Sequence, residues 1–96
     1  MKLVWLLEAR DDISRLFDFL VDRGPDAALR MLQRVRAGAA ILLEFPHAGK
    51  RMGEDTERRE LFVPFGVGAY VLRYRLRNET IVVIRVWHSR ELRDSI

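Results

Sequence analysis

Apolar residues recur along the chain with two different periods, and the change of period predicts where helices give way to strands. Residues 2–7 are apolar at nearly every position, which is typical of a strand covered on both faces. Residues 8–23 and 25–44 carry apolar side chains at intervals of three and four, the spacing of one helix face. Pro25 favours a helix start and Pro46 a helix end. The short link between the two predicted helices makes them an antiparallel hairpin.

The second half of the chain alternates with a period of two, which predicts strands. We expect strands at 59–65, 69–77 and 80–88, and a tight hairpin turn at Asn78-Glu79. Residues 46–58 are rich in glycine and charge, which predicts a long loop. The order strand, two helices, three strands predicts a single α+β domain spanning 1–96. In it, the helical hairpin packs on one face of a three-stranded antiparallel meander.

Alternation also assigns side chains to the two sheet faces. We expect eight of them to face the helices: Tyr70, Leu72, Tyr74, Leu76, Val82, Ile84, Val86 and His88. Four then share the opposite face: Arg73, Arg75, Arg85 and Trp87. Arginine is rarely buried without a partner, so this predicts an open basic face carrying an indole. Such a face suits phosphate contact and base stacking, or a protein interface. The alternative is a solvated face whose arginines pair with Glu60, Glu79 and Glu91.

Charge and composition narrow the class of partner. Residues 58–96 carry eight Lys/Arg against four Asp/Glu, whereas residues 1–57 carry nine against ten. A basic C-terminal portion favours an anionic partner, either nucleic acid or an acidic protein segment, although solubility alone also explains it. The chain has no cysteine, which fits a reducing cytoplasm. The apolar run at the start is too short for a signal peptide or membrane span, so we expect no membrane association.

Catalytic and metal-binding motifs are scarce. His47 and His88 have no further ligand at metal spacing, so we expect neither a metal nor a cofactor. No serine lies in a Gly-x-Ser-x-Gly turn, and no glycine-rich phosphate loop is present. His88 has the right pKa range for a general acid or base, but a histidine at a strand end more often only satisfies hydrogen bonds.

Four stretches, in this order, resemble the RelE/ParE toxin superfamily of bacterial toxin–antitoxin modules. "EARDDISRLFDFL" resembles the helix after the family's first strand, and "FPHAGKRM" resembles its Pro-x-x-Gly-Arg-like segment. "RRELFVPFGVGAYVLRYRL" resembles its Arg-x-hydrophobic strand followed by a Tyr-hydrophobic-x-x-Tyr strand. "TIVVIRVWHSRE" resembles the apolar last strand running into His-x-Arg. The resemblance covers essentially the whole chain and implies a RelE/ParE-like fold.

The resemblance implies two possible activities. RelE-like members are ribosome-dependent endoribonucleases that use strand lysines, arginines and a C-terminal Tyr or His, whereas ParE-like members inhibit DNA gyrase and lack that set. Here Phe62 and Pro64 stand at the lysine positions, and Val71 stands where RelE has an arginine. Ile96 stands at the tyrosine position, and Arg90 alone matches a RelE catalytic arginine.

The resemblance therefore implies a ParE-like cytoplasmic toxin, associated with growth arrest and plasmid stabilization, that inhibits DNA gyrase and is neutralised by a cognate antitoxin. No catalytic residue is firmly indicated. Candidate residues for binding the target or partner are Arg73, Arg75, Arg85, Trp87, Arg90 and Arg93. The alternatives are an endoribonuclease acting on ribosome-bound mRNA, with His88, Arg90 and Arg85 as its candidate catalytic residues, and a non-enzymatic RNA-binding module.

Overall fold

The structure, a computed structural model, describes residues 1–91, apart from the side chains of residues 55 and 56. Two helices lie between the first strand and four later strands. In chain order the elements are β1 (Lys2–Trp5), α1 (Leu7–Val21), α2 (Pro25–Glu44), β2 (Lys50–Met52), β3 (Asp55–Phe65), β4 (Gly68–Arg77) and β5 (Thr80–His88). The bounds predicted for the second helix and the last strand are confirmed. No helix within residues 1–91 is long and apolar enough to span a membrane.

The strands form one mixed sheet in the order β1-β5-β4-β3-β2. β1 runs parallel to β5, while β2, β3, β4 and β5 are joined by antiparallel pairing. The predicted α+β architecture is confirmed, with a helical hairpin between the first strand and an antiparallel meander. The meander has four strands rather than the three expected.

The predicted loop at 46–58 is wrong over most of its length. Lys50–Met52 forms the edge strand β2, and β3 begins at Asp55. The turn between them places Gly53 at φ +54°, a conformation that glycine adopts without steric cost. Charged side chains are common on edge strands because they prevent further strand pairing, and this polar composition concealed the hairpin in the sequence.

A buried tyrosine fixes the chain between α2 and β2. The Tyr74 hydroxyl donates to the Pro46 carbonyl at 2.7 Å and accepts the Gly49 N–H at 2.9 Å. A Cβ atom on Gly49 would lie 2.6 Å from the tyrosine ring, so only glycine fits there. This contact gives the Pro-x-x-Gly segment its structural role.

The helices pack on one face of the sheet. The main cluster of buried side chains joins both helices to the strands: Ala9, Leu16, Met31, Val35, Ala39, Val63, Tyr70, Leu72, Val83 and Val86. A second cluster contains Leu42, Tyr74 and Ile81. At Gly38 a Cβ would lie 2.6 Å from the Val63 side chain, so the small residues of α2 allow the helix to approach the sheet closely.

A β-bulge in β5 changes the predicted assignment of faces. Arg73 pairs with Arg85, but the next residue, Tyr74, pairs with Val83, so Ile84 is an extra residue. An extra residue reverses the alternation on one side of the bulge. Ile81 and Val83 are therefore fully buried. The prediction that Val82 and Ile84 face the helices is wrong, whereas Val86 is buried as predicted.

Candidate functional site

The sheet face opposite the helices, called here the open face, carries three cross-strand rows of different character. Phe62, Val71 and Trp87 form an apolar row. Glu60, Arg73 and Arg85 form the next row, and Arg58, Arg75 and Val82 form the third. Residues opposite each other on neighbouring strands have Cβ atoms about 5 Å apart, so each row is a set of touching neighbours. The open face thus combines an aromatic surface with arginines.

Arg73 is held by its neighbours on this face. Its Nε and Nη2 atoms donate to one carboxylate oxygen of Glu60 at 3.1 and 2.8 Å. Its guanidinium carbon lies 5.0 Å from the centre of the Trp87 ring, within cation–π range. Both charged side chains are largely buried. The alternative in which Glu60 neutralises a sheet arginine is therefore confirmed for Arg73.

The Arg85 side chain starts in an open-face row but reaches helix α1. Its Nε donates to Asp12 Oδ2 at 2.8 Å and its Nη2 donates to Asp12 Oδ1 at 3.0 Å, although Asp12 belongs to α1. Arg85 therefore shares the open face with Arg73 in register, as expected, but its guanidinium group is bound to Asp12. The charge of Arg85 serves to join α1 to β5.

Asp12 is the centre of this junction, and it is only 5% exposed. Its Oδ2 also accepts the backbone N–H of Val86 at 2.9 Å. Burial raises the pKa of the Asp12 carboxyl, but hydrogen bonds from Arg85 and Val86 outweigh it, helped by the positive charges of Arg85 and Arg15. The net result is a pKa below the ordinary value. The same hydrogen bond raises the pKa of Arg85, so both groups stay charged at neutral pH.

A second surface lies at the other end of β5. An apolar groove of about 630 Å³ separates α1 from the β3–β4 turn, and we call it the His88 groove. Its lining is Arg15, Leu16, Phe19, Leu20, Phe65, Gly66, Val67, Tyr70, His88, Arg90 and Glu91. Phe19 is 56% exposed and Val67 is 84% exposed, so the rim of the groove is apolar as well as its floor.

The His88 ring is fixed by three contacts. It meets the Tyr70 ring edge-on, with centroids 4.9 Å apart, and lies close against the backbone of Gly68. Its Nδ1 accepts the backbone N–H of Arg90 at 3.2 Å. A ring nitrogen that accepts must carry a lone pair, so in the neutral ring the proton resides on Nε2. The atom that would abstract a proton is therefore already engaged.

Tyr70 shares the groove and was not singled out by the sequence. Burial raises the pKa of the Tyr70 hydroxyl, and the charge of Glu91 raises it further, so the phenol stays protonated at neutral pH. Glu91 also forms an ion pair with Arg15 and accepts the backbone N–H of His88 at 2.9 Å. The alternation of the strand predicted that Tyr70 faces the helices. That Tyr70 also lines a groove depends on the position of the turn at residues 66–67, which the alternation does not predict.

The predicted site residues thus divide between two surfaces. Arg73, Arg75 and Trp87 lie together on the open face, whereas His88 and Arg90 line the His88 groove. Arg85 is bound to Asp12, so the three candidates for RNA cleavage do not converge on one point. Arg93 lies outside the described residues.

Sequence reasoning named Glu60 only as a possible partner of the arginines and did not place Phe62 on the open face. Both were visible as alternate positions of a strand, but their partners depend on the register between β3 and β4. Within residues 1–91, no group of three or more His, Cys, Asp or Glu side chains is placed to hold a metal ion.

Sequence comparison identifies the class of this protein: it is a toxin of a type II toxin–antitoxin system. Residues 3–93 match the family described as the ParE toxin of the type II toxin–antitoxin system parDE, and the chain belongs to that family. It is also 41% identical over 87 residues to Toxin RelE1 of Caulobacter vibrioides, covering 91% of each chain. Toxin RelE3 of the same organism is 36% identical, covering 88% of this chain and 90% of that one.

A solved structure supports the fold. The chain superposes on a structure described as a chromosomal ParDE TA system from P. aeruginosa with a TM-score of 0.73. The match covers 92% of this chain and 95% of the other at 24% identity. Membership of the family implies a cognate antitoxin as partner. The matched names do not agree on the target, because the family is named ParE and the relatives are named RelE.

Proposed function

We propose that this toxin arrests growth by binding and inhibiting DNA gyrase in the cytoplasm, and that it does not cleave RNA. The observation that supports this is the pairing of its sheet arginines. Arg73 is bound to Glu60, and Arg85 is bound to Asp12. A carboxylate beside each guanidinium repels the phosphate that a nuclease must stabilise.

The state of His88 supports the same conclusion. Cleavage through a 2′-hydroxyl needs a base to remove a proton and an acid to protonate the leaving oxygen, both within hydrogen-bond reach of the substrate. In His88 the lone pair accepts the Arg90 N–H, and the ring packs against Tyr70 and Gly68. These contacts suit a structural histidine.

A binding toxin needs a surface, and the open face has the composition of one. Protein interfaces are enriched in aromatic residues and arginine, with an apolar centre and a polar rim. Phe62 and Trp87 supply the centre above the buried Val71, and Arg75 supplies a charge two rows away on the same face. We assign Arg75 and Trp87 to contact with the target, with Arg73 packed against the Trp87 ring.

The second candidate is an endoribonuclease acting on ribosome-bound mRNA. One observation favours it, namely that His88, Arg90 and Tyr70 all line one groove. The relatives named RelE are compatible with this candidate. The two candidates require different residues: the ribonuclease depends on His88, whereas the gyrase inhibitor depends on Arg75.

The deciding experiment adds purified toxin to two reactions, gyrase supercoiling of plasmid DNA and translation of a defined mRNA on purified ribosomes. Three variants are compared with the original chain: Arg75→Glu on the open face, His88→Ala in the groove, and Arg30→Glu as a control. Arg30 is an exposed arginine of α2, so its reversal makes the same change of charge away from both surfaces.

We expect supercoiling to be inhibited by the original chain, by His88→Ala and by Arg30→Glu, and inhibition to be lost in Arg75→Glu. The mRNA stays intact throughout. Codon-phased mRNA cuts that disappear in His88→Ala, with supercoiling unaffected, would overturn the proposal in favour of the ribonuclease.

Neutralisation is tested separately. We expect the protein encoded next to the toxin gene to bind with a Kd of about 1 nM or below, which corresponds to about 12 kcal/mol. Isothermal titration measures it directly. Absence of binding would remove the antitoxin from the proposal without affecting the supercoiling result.

A further inference from the structure

A small cleft lies on the side of the helical hairpin near β1, away from the open face and the His88 groove. It has a volume of about 210 Å³ and is lined by Trp5, Arg10, Ile13, Leu32, Val35 and Arg36. We call it the Trp5 cleft. Its lining comes from β1, α1 and α2, so the cleft exists only where these three elements meet.

The floor of the Trp5 cleft is part of the protein core. Val35 is fully buried, and Trp5, Ile13 and Leu32 pack against the main core cluster. Side chains held by a packed core keep one conformation, so the cleft is formed before any ligand arrives. A preformed apolar recess favours binding because little ordering remains to be done.

The rim of the cleft carries two exposed arginines, Arg10 and Arg36. Within residues 1–91, the structure shows no hydrogen bond or ion pair for either guanidinium group, although it shows carboxylate partners for Arg73, Arg77 and Arg85. The sequence explains this, because neither arginine has an acidic residue three or four positions away on its helix. Two positive charges therefore flank an apolar recess.

The volume limits what can bind. Pockets for drug-sized ligands measure about 300–1,000 Å³, so the Trp5 cleft is too small for most such molecules. It has room for a side chain presented by a larger partner. Its two arginines then call for a carboxylate next to that side chain, since guanidinium groups pair with carboxylates in a fixed fork geometry.

We propose that the Trp5 cleft binds an acidic segment of the antitoxin, with one apolar side chain in the recess and neighbouring carboxylates on Arg10 and Arg36. This rests on the proposed neutralisation by an antitoxin and adds the chemistry of the contact. A nucleic acid would also bring negative charge, but the floor of the recess is mostly aliphatic and offers little aromatic surface for base stacking. The cleft therefore fits a protein segment better.

The first test uses a small probe of defined chemistry. Acetyl-Leu-Glu-Glu-Leu amide is titrated into the toxin while the indole N–H resonance of Trp5, assigned separately from that of Trp87, is followed by NMR. The control peptide, acetyl-Leu-Gln-Gln-Leu amide, has the same shape without charge. We expect a saturable shift of the Trp5 resonance with the acidic peptide, weakened by salt, and a far smaller shift with the neutral one.

Equal shifts from the two peptides, or a shift that survives in the double variant Arg10→Glu/Arg36→Glu, would overturn the proposal. A short single-stranded RNA serves as the competing ligand class. If RNA shifts the Trp5 resonance at lower concentration than the acidic peptide does, the cleft is a nucleic-acid site and the proposal fails.

The second test uses the antitoxin itself. We expect Arg10→Glu/Arg36→Glu to weaken its binding by about tenfold or more, mainly through faster dissociation, because each reversal replaces an attraction with a repulsion. Arg30→Glu, on the same helix as Arg36, is the control for a single charge reversal and should retain the original affinity within about twofold. Unchanged affinity in the double variant would contradict the proposal.

The proposal for the Trp5 cleft and the proposal that gyrase is the target would fail with different experimental results. The double variant lies away from the open face, so its effect on gyrase supercoiling should equal that of the original chain. Loss of antitoxin binding with no gyrase inhibition by any variant would support the cleft and refute the target. If the antitoxin does not bind the original chain, neutralisation fails and the peptide titration alone decides the cleft.

Discussion

The arginines of the sheet and the arginines of the Trp5 cleft differ in what surrounds them. Arg73 and Arg85 each have a carboxylate within 3.1 Å, supplied by Glu60 and Asp12. Arg10 and Arg36 lie beside apolar side chains, with no such pairing in the described part of the chain. The first pair stabilises the fold, whereas the second pair remains available to a partner.

The cause of this difference is geometric. A strand brings side chains from distant parts of the sequence into direct opposition, so Glu60 meets Arg73 across the sheet. Within its own helix an arginine meets only the residues three and four positions away, and around Arg10 and Arg36 these are uncharged. Basic residues in a sheet therefore cannot be counted as a binding surface until their cross-strand neighbours are known.

Removal of the Asp12 carboxylate should have the largest effect. Asp12→Ala leaves Arg85 and the Val86 N–H without their acceptor, and we expect a loss of about 3 kcal/mol of unfolding free energy, the low end for breaking a buried pair, because Arg85 is partly exposed. Urea unfolding measures the change. Asp11→Ala, the exposed neighbour, should change stability by less than about 0.5 kcal/mol. Equal effects of the two variants would contradict the assigned role of Asp12.

Acid should weaken the same pair. The pKa of Asp12 is lower in the folded state than the unfolded value of about 3.9, so the folded state binds fewer protons as pH falls toward that value. The stabilisation that the charged Asp12 gives the folded state is complete above about pH 5 and is lost as the pH falls through the folded-state pKa. Thermal melts between pH 3 and 7 should therefore show a smaller acid-induced loss in Asp12→Asn than in the original chain. An identical pH profile would mean that other carboxylates control the acid transition.

The pair on the open face should contribute less. Glu60→Gln removes the charge that Arg73 faces, and we expect a loss of about 1 kcal/mol because both side chains are mostly shielded from water. Glu57→Gln changes an exposed pair with Arg77 and should cost less than about 0.5 kcal/mol. Chemical denaturation of both variants makes the comparison. A larger loss for Glu57→Gln would reverse the order assigned to the two pairs.

The cleft arginines should have the smallest effect on folding. Arg10→Ala and Arg36→Ala remove no hydrogen bond or ion pair that the structure shows within residues 1–91, and both side chains are exposed, so the unfolding free energy should change by less than about 0.5 kcal/mol. The same denaturation experiment detects any larger change. A loss near that of Asp12→Ala would show that these arginines are structural and would remove the contrast with the sheet.

Local patterns in the sequence predicted much of the architecture. The three-and-four spacing of residues 25–44 gave the second helix its observed bounds, because a long amphipathic stripe and Pro25 act within the element itself. Asn78-Glu79 was expected to form the last hairpin turn, and both residues adopt the left-handed conformation that a two-residue turn of this kind requires. Family membership also followed from stretches that can be read in order along the chain.

The sequence by itself determined the helices, the long strands and the kind of side chains that each presents, since these depend on residues a few positions apart. Only the tertiary structure decided which of those side chains meet. Because Ile84 is an extra residue in β5, the side chains of Ile81 and Val83 face the core. Arg85 forms its hydrogen bond with Asp12, a residue 73 positions away in the sequence. Such contacts depend on strand register and on the packing of a helix against a sheet edge, and no local period records either of them.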